Sequence, residues 1–221
     1  MEIKEAVAGR RSIRQFLKDP VPVETIRELI SASLWAPSWG NTQPWELVVA
    51  TGSPLEHFKK ENKSALFSGK KPNPDIPMPE VWPPLQKERY VDVGKSVLTA
   101  LEIPRKDLDG RLKYYGDMFF LFDAPALLLV LLDKELLLEY CMLDVGLFLQ
   151  SFMLLALDKG LGTISLAGSV NYPGIIRECF SLPEDKRIVI GVAFGYPDKD
   201  AAVNTFDRKR ISPEESIRWI R

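Results

Sequence analysis

Between Val23 and Trp35 the side chains that could face a core fall at Ile26, Leu29, Ile30, Ser33 and Leu34, the spacing of one helix face. Pro22 and Glu24 suit its first turn, and Pro37 stops it. A shorter helix over Ile3–Ala8 ends at Gly9. Trp45–Thr51 reads as a buried strand, and Pro54–Leu66 as an amphipathic helix carrying His57, Lys59 and Lys60. The texture then changes. Ser68–Pro84 holds Pro72, Pro74, Pro77, Pro79, Pro83 and Pro84, a density that forbids regular structure and predicts a long surface excursion. Helical patterns resume over Leu85–Leu101 and Arg105–Tyr115. Ala126–Leu132 is apolar without a break, a strand covered on both faces. Next come a long helix over Leu136–Lys159 closed by Gly160 and Gly162, a strand over Thr163–Ala167, a helix over Pro173–Phe180 and a buried strand over Arg187–Gly195. A polar tail, basic in its middle, follows from Tyr196. Few apolar strands separated by helices predict α/β or α+β architecture, helices on both sheet faces, and more helix than strand.

The stretch Leu136–Leu157 is long enough to raise the question of a membrane span, but it contains Glu139, Asp144 and Gln150. Two acids inside a span are costly in lipid, so it reads as a buried helix of a soluble protein, apolar on nearly all sides. A monomer rarely swallows such a helix whole, and a dimer interface is its natural place. The length of 221 residues predicts one domain. Lys+Arg of 29 against Asp+Glu of 30 gives a net charge of −1, which removes the case for a nucleic-acid binder. A catalytic triad or a histidine-containing zinc site would have to run through the one histidine, His57, and Cys141 and Cys179 form no CxxC pair. No metal site is expected. Met1–Arg14 is charged and lacks an apolar signal core, and isolated cysteines suit a reducing compartment, so a cytoplasmic protein is expected.

The chain has no HExxH, GxSxG, Walker loop or GxGxxG after a strand, which favours a borrowed cofactor over protein-borne catalysis. Three segments could hold one. Arg10-Arg11-Ser12-Ile13-Arg14 offers three guanidinium groups and a hydroxyl for a phosphate; alone, it also fits a solvated basic turn. Ala36–Trp45 combines turn formers with Ser38, Asn41, Gln43 and two tryptophans, and fits a rigid connector as well as a ligand-contacting loop. Asp207-Arg208-Lys209-Arg210 is a basic tail or a second clamp on the same phosphate.

RRSIR near the start, PSWGNTQPW after the second helix, the Asp144–Leu157 helix running into GLGTISLAG, IVIGVAFGYPD, and RKRISPEE at the end stand in an order that resembles the FMN-dependent nitroreductase family. The resemblance covers Met1–Leu66 and Ala124–Glu215. It implies an α+β fold with a central mixed sheet flanked by helices, as an intertwined homodimer with FMN between the subunits. By position, Arg10, Ser12 and Arg14 would hold the phosphate and ribityl chain, with Arg11 close by and Arg208 and Arg210 closing on the same phosphate. Pro37, Ser38, Trp39, Asn41 and Gln43 would line the isoalloxazine from the partner subunit. Ala167 and Gly168 fall where the family brings a backbone N–H towards the flavin N5. Many relatives carry a flavin-contacting asparagine ahead of the strand at Ala126. Here Tyr114–Phe120 has none, and Asp117 is nearest.

The resemblance thus implies a single FMN-binding domain over residues 1–221, with an insertion at about 67–120 and a C-terminal tail over 197–221. It would act as an FMN-dependent oxidoreductase passing electrons from NADH or NADPH to a nitroaromatic or quinone acceptor, with no protein residue required as the catalyst. Alternatives on the same fold are a flavin reductase, a reductive dehalogenase, a flavin-degrading enzyme or a non-catalytic flavin-binding protein. The proline-rich segment and the helix after it are expected to form a lid, with Met78, Val81 and Trp82 as its apolar surface and Trp82 stacking on an aromatic acceptor.

Overall fold

The computed structural model describes residues 1–220. Its elements in chain order are α1 (Ile3–Gly9), α2 (Val23–Ser33), β1 (Trp45–Thr51), α3 (Gly52–Phe67), α4 (Pro84–Ala100), α5 (Leu108–Phe119), β2 (Ala126–Asp133), α6 (Leu138–Asp158), β3 (Gly162–Leu166), α7 (Pro173–Phe180), β4 (Lys186–Gly195), α8 (Ala202–Thr205) and α9 (Pro213–Ser216). Short 3₁₀ turns occupy Trp39–Asn41, Leu121–Asp123 and Ala167–Ser169. The sheet order is β1-β2-β4-β3, and all three pairings are antiparallel. The expected mixed sheet is thus antiparallel throughout its strands; the one parallel contact is an isolated bridge outside them, Ser12 to Thr163.

β2 is the spine. Ala126 to Leu132 are fully buried, and alternate residues feed two cores. Ala126, Leu128, Val130 and Leu132 face Leu29 of α2 and Val145, Phe148 and Phe152 of α6. Leu127, Leu129 and Leu131 face Leu55 and Phe58 of α3 and Ile176 of α7. Helices therefore cover both faces, as the uninterrupted apolar run requires. β1 differs from the buried strand expected of WELVVAT: only Trp45 and Ala50 are buried, because β1 lies at the edge of the sheet.

Two elements are buried unevenly. α6 is not enclosed: Cys141, Asp144, Val145, Phe148, Phe152 and Ala156 are buried, but Tyr140, Leu143 and Leu147 are exposed. It is the one helix among the described residues long and apolar enough, by length and composition, to cross a membrane. Lys59 lies on the inner side of α3. It is buried, its ammonium 2.6 Å from Glu56 and 2.9 Å from Asp123, and burial holds its pKa below the ordinary lysine value against the pull of Glu56.

The proline-rich segment is irregular as predicted, yet its first half is fastened down. Asp75 takes a bidentate contact from Arg177 of α7, at 2.7 and 3.4 Å, and accepts the Ile188 N–H at 2.8 Å. Pairing with β3 reaches along β4 only to Gly191, so Asp75 and Arg177 satisfy backbone groups of β4 that no strand covers. Asn73 N–H to Asn171 O and Tyr172 OH to Lys70 O add to the seam.

Candidate active site

The two basic segments meet, although Arg10 and Arg208 are 198 residues apart in sequence. Arg10, Arg11, Ser12, Arg14, Arg208 and Arg210 line one cavity of about 530 Å³, together with Asn204, Phe206 and the α4 residues Arg89, Asp92, Val93 and Ser96. The N-terminal segment reaches it by lying along β3: Ile13 N–H donates to Thr163 O at 3.0 Å. Gly162 permits this approach, since a Cβ there would lie 2.4 Å from Ile13. The C-terminal segment is tied on by Arg208, whose guanidinium donates to the carbonyls of Arg10 and Ala8.

Asn204 organises the centre. This buried side chain accepts the Arg14 N–H at 2.7 Å and donates to the carbonyls of Gln15 and Asp198, each at 2.8 Å. Its own carbonyl accepts from Arg11. Among the described residues, none of Arg10, Arg11, Arg14, Arg208 and Arg210 forms an ion pair with a carboxylate. Arg10 Nε is buried without a hydrogen-bond partner. Burial, then Arg210, lowers the Arg10 pKa; burial, then Arg11, Arg210 and Arg10, lowers that of Arg208. Packed like charges with an orphaned donor are a receptor for an anion, and a phosphate dianion matches both the charge and the forked geometry.

The other segments lie outside this cavity in the single chain. In the loop Pro37–Gln43, Gly40, Asn41 and Gln43 adopt left-handed φ of 57°, 57° and 47°, and Ser38 Oγ accepts the Gln43 N–H at 2.9 Å. α6 grips the loop at two points: Tyr140 stacks on Trp39 with centroids 4.7 Å apart, and Asp144 accepts the Trp39 N–H at 3.1 Å. The Trp39 ring stays largely exposed. Ala167 and Gly168 sit just past the end of β3, roughly 13 Å along the strand direction from the Ser12–Thr163 bridge at 3.3 Å per residue. Because the Thr163 carbonyl faces Ile13, the two-residue period turns the backbone groups of Ser165 to the same open edge. Trp82 stacks on Tyr90 of α4, with centroids 6.0 Å apart and planes 15° apart, so its ring rests on the helix that walls the arginine cavity. Asp117 lies apart from that cavity and pairs with Lys113 at 2.7 Å and Lys63 at 3.8 Å.

Sequence reasoning missed Asn204 and the α4 face of Arg89, Asp92 and Ser96. The i, i+3, i+7 spacing of the latter is visible, but polar residues so placed look like an ordinary solvated face. His57 is exposed on α3, and no group of three or more metal-ligating side chains occurs among the described residues.

A family profile described as the Nitroreductase family matches residues 7–196. The chain is 34% identical over 208 residues to a 4-nitrobenzoate reductase of Pseudomonas putida, covering 92% of this chain and 89% of that protein. To a chloronitrobenzene nitroreductase of Comamonas testosteroni it is 32% identical over 223 residues, covering 99% and 96%. The fold superposes with a TM-score of 0.93 on the FMN-dependent nitroreductase NfnB from Mycobacterium smegmatis, solved in complex with NADPH, at 27% identity and covering 99% and 97% of the two chains.

Proposed function

The chain belongs to the nitroreductase family, and from that premise we propose that it is an FMN-dependent NAD(P)H oxidoreductase reducing nitroaromatic or quinone-type acceptors. One observation carries the assignment of the cofactor site: five arginines without carboxylate partners converge on a single cavity from both ends of the chain. Arg10, Arg11, Ser12, Arg14, Arg208 and Arg210 would hold the phosphate and ribityl chain. The open edge from Ser165 to Gly168 would lie along the flavin, with Ala167 and Gly168 beside the ring. Pro37, Ser38, Trp39, Asn41 and Gln43 do not line their own chain's cavity, and they would line the ring bound by a second copy. The protein is then a homodimer with the flavin between its subunits. When bound, the flavin supplies the redox chemistry, accepting a hydride from NAD(P)H and delivering electrons to the acceptor. The chain's own contribution is to bind, orient and exclude water. Residues 67–120 form an insertion within one domain, and α4 with Trp82 would act as the lid for an aromatic acceptor.

The purified protein should be yellow, and heat should release FMN. Release of FAD, or a colourless protein, would sink the cofactor assignment. Anaerobic mixing with NADPH should bleach the flavin and a nitroaromatic acid should restore its colour; a non-catalytic carrier would stay oxidised.

A further inference from the structure

We propose that Asn62 is a positioning residue whose side-chain amide locks the Ala167–Ser169 turn to the end of α5. In doing so it fixes the backbone that the functional reading sets against the flavin, and it rests on that reading. Asn62 is fully buried on the inner face of α3. Its Nδ2 donates to Phe119 O at 2.6 Å and to Gly168 O at 3.1 Å, joining backbone 57 and 106 residues away in sequence. Both amide hydrogens are therefore committed, while Oδ1 is buried without a partner. The two acceptors dictate the orientation, since a flipped amide would press its oxygen against two carbonyl oxygens. A residue that served only to fill space here would be apolar, because an orphaned buried acceptor is otherwise a cost.

Both anchored segments need holding. Phe119 leads into Leu121, Phe122 and Asp123, three successive non-glycine residues with left-handed φ of 56°, 52° and 56°. One helical turn before Asn62, Lys59 secures the far end of that run through Asp123 at 2.9 Å. Gly168 packs against the Phe119 ring, 3.4 Å from where its Cβ would be, and against Met118. The Gly168 carbonyl is drawn inward to Asn62, while Ala167 on the other side of the turn stays exposed. Loss of the amide would release the turn without touching any arginine.

The test compares holoproteins carrying Asn62→Leu, Asn62→Ser and Asn62→Asp. Asn62→Leu should keep FMN affinity within about threefold, because charge-assisted phosphate contacts dominate binding. It should slow bleaching by NADPH at least about tenfold, with little change in donor KM, as expected for a misplaced catalytic surface. It should also move the flavin midpoint potential and speed hydrogen exchange of the Gly168 and Ser169 amides. Asn62→Ser keeps one donor and should recover part of the rate. In Asn62→Asp an ionised carboxylate would confront two carbonyl oxygens, whereas a protonated one can donate. Its rate should rise on acidification, and that of Asn62→Leu should not. Lys59 and Lys63 on α3, Glu178 on α7, Asp117 on α5 and Asp123 ahead of β2 are common to all variants, so their titration cancels in the comparison. Variants that lose only global stability, with wild-type potential and bleaching rate, would overturn the role of Asn62 alone. A wild-type chain that binds no FMN would overturn the functional reading and this role with it.

Discussion

Arg208 and Arg210 stand two residues apart in the same clamp, yet their variants should behave differently. Among the described residues Arg210 donates only to the adjacent Lys209 carbonyl, whereas Arg208 ties the tail to Ala8 and Arg10. Each charge-assisted contact to a phosphate is worth roughly 1.5–3 kcal/mol. Arg210→Ala should therefore weaken FMN about tenfold or more in a fluorescence titration and leave the apoprotein's melting temperature unchanged. Arg208→Ala should do both, weakening FMN and lowering the melting temperature. Equal melting temperatures for the two would show that the Arg208 tether contributes nothing. Lys59 supplies a pH test. Burial sets its folded pKa below its unfolded value, so the folded state binds its proton less tightly than the unfolded one. Stability must then rise with pH between the lowered folded pKa and the unfolded value near 10.5, and fall as pH drops through the folded pKa. Relative to Lys59→Met, the wild type should gain in urea midpoint on going from neutral pH towards about pH 10; a constant difference would mean that Glu56 and Asp123 cancel the burial.

The elements that announced themselves in the sequence were those whose pattern one local cause decides. Pro173 at the first turn of α7 and the apolar run of β2 gave their elements almost to the residue. The three candidate cofactor segments were visible because arginines, prolines and tryptophans at those spacings serve no common packing purpose. The partners of the proline-rich segment were hidden, because nothing in Lys70–Asp75 says which distant group its carboxylate will meet. That partner, Arg177, lies 102 residues on. Asn204 and Asn62 were hidden for the same reason: a buried amide is defined by the carbonyls around it, and those come from remote chain. The seam makes the segment a hybrid, fixed as far as Asp75 and exposed over most of Pro77–Val91. Asp75→Ala should cost about 3 kcal/mol in urea unfolding, since it strands a largely buried guanidinium and an Ile188 N–H. Trp82→Ala lies beyond the seam and should alter acceptor KM and preference while leaving FMN affinity intact. A variant that sheds flavin, or that matches wild-type kinetics on every aromatic acceptor, would remove Trp82 from the lid.

For the whole molecule the decisive surface is that of α6. Tyr140, Leu143 and Leu147 form a stripe at helical spacing, with exposures of 49%, 62% and 39%, and Leu137 just ahead and Trp39 extend it at 61% and 65%. A contiguous apolar patch of this kind is uncommon on a monomer. It is continuous with the Pro37–Gln43 loop through the Trp39–Tyr140 stack and the Asp144 contact. The face that would dimerise and the loop that would complete the second flavin site are therefore one rigid unit, and the two properties should fail together. Burying one leucine contributes about 1.5–3 kcal/mol, and a two-fold interface counts it twice. Replacing it with a carboxylate adds a desolvation cost on each side. With a chain mass of 25.0 kDa, light scattering should give the wild type about 50 kDa, twice the chain. Leu143→Asp, at a residue that does not line the arginine cavity, should shift it to the single-chain mass and release FMN in parallel over the same concentration range. A monomeric variant that still holds FMN as tightly as the wild type would show that each chain builds its site alone, and the loop on α6 would lose its place in it.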